Sequence, residues 1–212
     1  MYIKTKVQSL IFIGIFLSLP LGAFNQSALT VKYFGLTVHP FGDKTAHLQP
    51  YKLDDKARFV ANFGAFVGYE KFIYKKYLSV KLIEAAFTDC SGGWASIHHL
   101  GLRFLLLDKK SKHRLYLGVG PTYILRNSWT RFGEEYNGSG YFNVRESKWL
   151  GTVQSKFILY GMEMEYDYAL NTNNHLSISF TPGIPLACIF SVGWKRDFNK
   201  QSYSKYKFYV PE

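Results

Sequence analysis

The chain has 212 residues and carries 26 Lys and Arg against 15 Asp and Glu, a formal net charge of +11, and 18% of its residues are aromatic. This length allows one domain of ordinary size. The positive charge would suit nucleic acid, anionic lipid or lipopolysaccharide phosphate, but the export signal described next disfavours nucleic acid, so no nucleic-acid partner is predicted.

The first 23 residues have the composition of a secretory signal peptide. Lys4 and Lys6 precede an apolar run at 10–21, and Gly22 and Ala23 supply the small residues of a cleavage site. The run covers about 12 residues, whereas a membrane-spanning helix needs roughly 20, which makes a membrane anchor the weaker alternative. We therefore predict a leader at 1–23, an exported main domain at 24–198 and a C-terminal extension at 199–212.

The main domain alternates apolar and polar residues with a period of two, which predicts strands rather than helices. The segments are long enough to cross a bilayer when tilted. Eight such segments are predicted, at 28–38, 57–69, 77–88, 94–107, 114–125, 156–169, 176–181 and 188–198.

The two faces of these strands differ in chemistry. On the sixth strand the aromatic and Met side chains share one face, while Glu163, Glu165 and Asp167 share the other. Buried charges need partners, so we predict an interior network of these carboxylates with Lys81 and Arg103. A soluble lipocalin-like barrel would instead turn polar faces outward.

Connection lengths support the same fold. Short polar links at 71–76, 108–113 and 170–174 alternate with links at 39–56, 89–93, 126–155 and 182–187, of which 39–56 and 126–155 are much longer. Outer-membrane barrels combine short periplasmic turns with longer external loops, and a closed ring of strands leaves no sheet edge. We predict an all-β protein, an eight-stranded antiparallel transmembrane β-barrel in the bacterial outer membrane, present as a monomer among phospholipid and lipopolysaccharide.

Candidate chemistry collects at the predicted external rim. The stretch FTDCSGGW brings Asp89, Cys90 and Ser91 onto a Gly-rich loop, and His39 ends the first strand. A nucleophile, a base and an orienting acid are the components of acyl transfer. Loops of this composition are also common and inert, and His39 alone is more often a surface histidine. Further rim candidates are Asp43, His47, Glu134 and Glu135.

The two cysteines leave two possibilities open. In an oxidising compartment, Cys90 and Cys188 would ordinarily form a disulfide, and Ser91 would then remain as the nucleophile. A free Cys90 could instead be activated by His39. The pair His98 and His99 does not predict a metal site, because neighbours on a strand point to opposite faces, and we predict no cofactor.

Two motifs resemble the lipid A palmitoyltransferases, eight-stranded outer-membrane barrels that move a palmitoyl chain from a phospholipid to lipid A. The segment LTVHPF resembles the stretch that ends in the family's essential histidine, here His39. The segment LSVKLIEAAFTDCSGGW resembles a strand that runs into an Ala-Phe-x-Asp-Ser element, although Cys90 stands in place of the serine. In this alignment Gly101 falls where the family has a small residue at the floor of its acyl pocket.

The sequence therefore predicts an acyltransferase that modifies lipid A or a related lipid. The resemblance implies His39 as the base, Asp89 as the orienting acid, Cys90 or Ser91 as the reactive group and Gly101 as a lipid-binding residue. A non-catalytic structural or adhesive barrel and a soluble lipocalin-like lipid carrier remain as alternatives. An enzyme would need an apolar upper lumen, a contact between His39 and the second external loop, and a strand separation beside Pro121 or Pro182 that admits lipid.

Overall fold

A computed structural model describes residues 26–110, 112–135, 142–182 and 187–198. The predicted leader at 1–23 and the predicted extension at 199–212 lie outside the described residues, as do the side chains of Glu134 and Glu135. Nowhere in the described part is there a helix long and apolar enough to cross a membrane.

The described residues form a closed antiparallel barrel. Eight long strands make the ring, and pairing between the last and the first closes it. The predicted eight-stranded all-β fold is therefore confirmed. The strands are β1 Ser27–Val38, β2 Phe59–Ala61, β3 Gly64–Tyr74, β4 Leu78–Thr88, β5 Trp94–Lys109, β6 His113–Asn127, β7 Asn143–Ser147, β8 Gly151–Ala169, β9 Asn174–Pro182 and β10 Cys188–Asp197, of which β2 and β7 are short additions outside the ring.

The second predicted strand, at 57–69, is interrupted in the structure. Its beginning forms β2 and its remainder belongs to β3, and both pair with the same edge of β1. The interruption falls at Asn62, whose side-chain Nδ2 donates to the Thr88 carbonyl at 2.8 Å while Thr37 Oγ1 donates to Asn62 Oδ1 at 2.6 Å. The buried amide thus stabilises the break by bonds that link three elements.

Most of the outer surface of the barrel is apolar. Leu102 is 46% exposed and Val67 is 43% exposed, whereas their chain neighbours Arg103 and Gly68 point inward. An apolar belt on a closed antiparallel barrel is the architecture of an outer-membrane protein, and this surface rules out the soluble carrier. The protein therefore resides in the bacterial outer membrane. The belt includes Val31, Leu100, Phe104, Leu106, Phe157, Leu159, Leu176, Ile178 and Val192.

The lower lumen, meaning the half near the short turns, is filled by charged side chains. Lys81 Nζ lies 2.9 Å from Glu163 Oε1, Arg103 Nη2 lies 2.7 Å from Glu165 Oε1, and Lys195 Nζ lies 2.8 Å from Asp167 Oδ2. Each of these side chains is at most 2% exposed. The predicted interior network is therefore confirmed, and it also includes Lys32 and Glu70.

Candidate functional site

The upper lumen, meaning the half near the long loops, differs in being apolar. Phe66, Ile83, Ala85 and Ile97 project inward from β3, β4 and β5 and form a buried cluster. Beside this cluster lies a cavity of about 230 Å³, whose walls also include Ile124, Ile158 and Ile189. The cavity has the lining expected of a site for an apolar ligand.

The floor of this cavity is polar. His99 Nδ1 lies 2.7 Å from Thr122 Oγ1, and both residues line the cavity together with Glu163 of the charged network. Gly101 is buried beside His99, where an added Cβ would come within 2.4 Å of the imidazole Nε2. The ring of His99 therefore covers Gly101, and the residues that line the cavity are others.

The cavity lies beside the upper end of the ladder between β8 and β9. The two strands pair only from Met164 opposite Phe180 down to Ala169 opposite His175. Within the described chain, residues 156–163 of β8 have no partner on β9, while 151–155 pair with β7. The ladder thus ends on the lower side of the cavity.

The lining residues place the cavity at this part of β8. Phe66 and Ile83 of the lumen border it together with Tyr160 and Met162 of β8, which are 75% and 42% exposed. Pro182, at the end of β9, also lines the cavity. The cavity therefore reaches the residues of β8 that have no partner on β9.

The rim cluster above the lumen joins His39 to Cys90. Cys90 Sγ lies 3.6 Å from His39 Nε2, and the thiol packs against the buried Ala46, Ala57 and Val60 of the first external loop and β2. Burial, reinforced by the negative charge of Asp89, raises the pKa of Cys90 to about 12. Burial also lowers the pKa of His39, against the opposing effect of Asp43. The contact is therefore between a neutral thiol and a neutral imidazole at pH 7.

Asp89 organises its own loop. Its carboxylate accepts hydrogen bonds from Trp129 Nε1 at 2.6 Å, from the Gly93 backbone N–H at 2.9 Å, and from the backbone N–H and hydroxyl of Ser91 at 3.0 and 2.7 Å. Among the described residues, the carboxylate within 4.0 Å of His39 belongs to Asp43, whose Oδ2 lies at that distance from Nδ1. This separation is too long for a hydrogen bond, and the Asp43 carboxylate accepts hydrogen bonds from Thr45 and Gln49 instead.

The remaining rim candidates point elsewhere. The Ser91 hydroxyl lies 2.9 Å from Arg131 Nη2 in a loop after β6, on the opposite side from His39. His47 is exposed. Cys90 and Cys188 are both free thiols. His98 and His99 face opposite sides of β5, as predicted, with His98 beside the exposed Glu84.

The sequence did not predict the position of the cavity or the proximity of Asp43 to His39. The residues that line the cavity carry ordinary apolar side chains, and Pro182 at the end of β9 gave the one signal. Asp43 stands four residues after His39, a spacing that a loop can fold into contact. The residues that line the cavity do not include His39, Cys90 or Asp43, so the cavity and the rim cluster are separate features.

These features define an outer-membrane β-barrel with a charged lower lumen and an apolar cavity in its upper lumen. No family model and no curated protein matches the chain. It is similar to the solved structure of Ail, the attachment invasion locus protein of Yersinia pestis, in complex with the heparin analogue sucrose octasulfate, with 12% identity and a TM-score of 0.44 over 82% of this chain and 98% of that chain.

A second similar structure is the outer membrane protein OprG from Pseudomonas aeruginosa, with 12% identity and a TM-score of 0.47 over 82% of this chain and 96% of that chain. Similarity of this degree carries no inference about ligand or activity. Neither comparison supports the predicted membership among the lipid A palmitoyltransferases.

Proposed function

We propose that this protein is a non-catalytic outer-membrane barrel that holds part of a lipid acyl chain in its upper lumen. The observation that carries the proposal is an apolar cavity that Phe66 of the lumen lines together with Tyr160 and Met162, in the part of β8 that has no partner on β9. A chain in the outer leaflet can reach such a cavity without crossing water. Because the chain leaves one apolar environment for another, its affinity would come from packing rather than from loss of water.

The size of the cavity sets what it can hold. An apolar cavity of about 150 Å³ in another protein takes up benzene. The volume of about 230 Å³ here therefore suits a segment of one acyl chain rather than a whole lipid. The hydrogen-bonded pair of His99 and Thr122 at the floor would mark the depth that the chain reaches.

The state of the rim favours binding over catalysis. The thiolate is the nucleophilic form of cysteine, and the pKa of Cys90, raised to about 12, keeps the group protonated near neutral pH. The carboxylate of Asp89 is occupied by loop hydrogen bonds.

Acyl transfer remains the second candidate because of one specific contact. Cys90, His39 and Asp43 lie in the order nucleophile, base and acid, with 3.6 Å between the first two groups and 4.0 Å between the last two. If the thiol lost its proton to His39, the thiolate could attack a phospholipid ester and form a thioester, while the lysophospholipid leaves with the proton from His39. A hydroxyl of lipid A could then take the acyl group and release the thiol.

The binding proposal is tested by filling the cavity. Ala85 lines it and Ala86, the next residue, faces the membrane, so Ala85→Phe and Ala86→Phe form a matched pair. We expect native mass spectrometry of the protein released from mild detergent to detect one retained lipid fewer on Ala85→Phe than on the wild type and on Ala86→Phe. Absence of lipid from the wild type, or equal retention by all three proteins, would overturn the proposal.

The second candidate is tested at the thiol. In a Cys188→Ser background, we expect iodoacetamide at pH 8 to modify Cys90 roughly three orders of magnitude more slowly in the folded protein than in the unfolded chain, because the thiolate is depleted. Rapid modification that His39→Ala abolishes would favour catalysis. Mass spectrometry of lipid A from cells with the intact protein, Cys90→Ala or no protein then shows whether any acyl chain is moved.

A further inference from the structure

The lower end of the barrel carries a concentration of lysines. The short turns and the adjoining strand ends contribute Lys71, Lys75, Lys76, Lys109, Lys110 and Lys112. Asp108 is the carboxylate among them, and it accepts a hydrogen bond from Lys76. The end that faces the periplasm is therefore strongly basic, and its lysines lie where the barrel leaves the membrane.

Part of this basic end forms a cleft on the outer surface. The cleft has a volume of about 470 Å³ and is lined by Leu107, Lys109, Lys110, Lys112, His113 and Tyr166. Leu107 is 53% exposed on the membrane side. His113 Nδ1 lies 2.6 Å from the Tyr166 hydroxyl and holds the ring beside the lysines. The cleft thus combines an apolar wall with a basic margin.

The charge of the margin is not neutralised by the barrel itself. In the described chain, no carboxylate lies within 4.0 Å of the ammonium groups of Lys109, Lys110 or Lys112. Lys112 Nζ instead lies 5.3 Å from the ring of Tyr168 on the membrane-facing side of β8. Three cations therefore surround one cleft at the height of the lipid headgroups.

We propose that this cleft binds an anionic glycerophospholipid of the periplasmic leaflet. Lys109, Lys110 and Lys112 would surround the phosphate of the headgroup, since lysine ammonium groups bind phosphate as point charges. Leu107 and the ring of Tyr166 would contact the first methylenes of an acyl chain. Lipopolysaccharide is excluded by position, because it occupies the external leaflet at the other end of the barrel.

The test compares lipid retention by two charge-matched variants. One carries Lys109→Gln, Lys110→Gln and Lys112→Gln at the cleft, and the control carries Lys44→Gln, Lys52→Gln and Lys56→Gln in the first external loop, where all three lysines are exposed. Each protein is placed in nanodiscs of equal phosphatidylglycerol and phosphatidylethanolamine, and native mass spectrometry identifies the lipids that stay bound.

We expect the wild type and the control to retain phosphatidylglycerol in preference to phosphatidylethanolamine, by roughly fivefold for each lysine that contacts the headgroup. We expect the cleft variant to show no preference between the two lipids. Absence of preference in the wild type overturns the proposal. Equal loss in both variants also overturns it, since net charge alone would then explain retention, as does full retention by the cleft variant. Ala85→Phe leaves this preference unchanged, which separates the result from that for the upper cavity.

Discussion

The two halves of the lumen use opposite chemistry within one barrel. In the lower half, Glu70, Glu163, Glu165 and Asp167 meet Lys32, Lys81, Arg103 and Lys195, and the charged groups fill the interior. In the upper half, Phe66, Ile83, Ala85 and Ile97 line an apolar cavity. The charged lower half therefore holds the barrel closed, while the cavity of the upper half is free to bind a ligand.

The charged lower half is sensitive to substitution because each charged group is compensated by the others. Replacing a complete buried ion network by apolar residues is often tolerated, but removing one partner leaves an uncompensated buried charge. Glu165 holds the central position, since its carboxylate contacts Lys32, Lys81, Arg103 and Lys195. A substitution of Glu165 therefore tests the contrast between the two halves most directly.

The largest expected effect follows from Glu165→Gln. Loss of the negative charge leaves four cations against the three carboxylates of Glu70, Glu163 and Asp167, and the free energy of unfolding should fall by about 3–5 kcal/mol. Urea unfolding of the protein in lipid vesicles measures the change. The control Glu84→Gln removes an exposed carboxylate paired with His98 on the outer face and should cost at most about 1 kcal/mol. Equal losses would show that the lower network has no special role.

A smaller effect on the free energy of unfolding is expected from substitutions that add volume to the filled lower lumen or to the cavity of the upper lumen. In the lower lumen, a Cβ on Gly118 would lie 3.2 Å from Arg103 Cγ, so Gly118→Leu overpacks the interior and should cost about 1–3 kcal/mol or more. In the upper lumen, Ala85→Leu places its added methyl groups into the cavity and should cost less than about 1.5 kcal/mol. The same urea unfolding compares the two variants. A greater loss from Ala85→Leu than from Gly118→Leu would contradict the contrast between the halves.

The smallest expected effect is a pH dependence at the rim. Burial lowers the pKa of His39 below its ordinary value of 6.5, so the unfolded chain takes up this proton at a higher pH than the folded barrel. The contribution of His39 to stability is thus fully present above pH 6.5 and is lost as the pH falls from there through the lowered pKa. Thermal unfolding of the wild type and His39→Gln between pH 7.5 and pH 5 measures it. If both proteins lost stability in parallel, His39 would not be the group responsible.

The sequence predicted the barrel because the strand period can be read residue by residue. The inward positions of His99 and Arg103, and the network of Glu163 with Lys81, follow once the period fixes which side chains share a face. A one-residue change of register would turn every one of these side chains to the opposite face. Agreement between the predicted and the observed faces along several strands is therefore a strict test of the predicted strands.

The rim could not be predicted in the same way. The position of Asp89 depends on hydrogen bonds with Trp129, 40 residues further along the chain, and that of His39 depends on how the first external loop folds over Cys90. The position of the cavity depends on where the pairing of β8 with β9 ends, at Met164 opposite Phe180. These features arise from contacts between distant segments, and no local periodicity encodes them.

The central claim is that an acyl chain from the membrane enters the upper lumen, and paramagnetic broadening tests it directly. Isoleucine methyl groups are labelled in protein reconstituted with a phospholipid that carries a nitroxide on its acyl chain. Ile83, Ile97 and Ile124 line the cavity, and Ile178 faces the membrane. We predict that the methyl signals of all four broaden and that Ala85→Phe restores the three lumen signals alone. Broadening of Ile178 with unchanged lumen signals in the wild type would contradict the account.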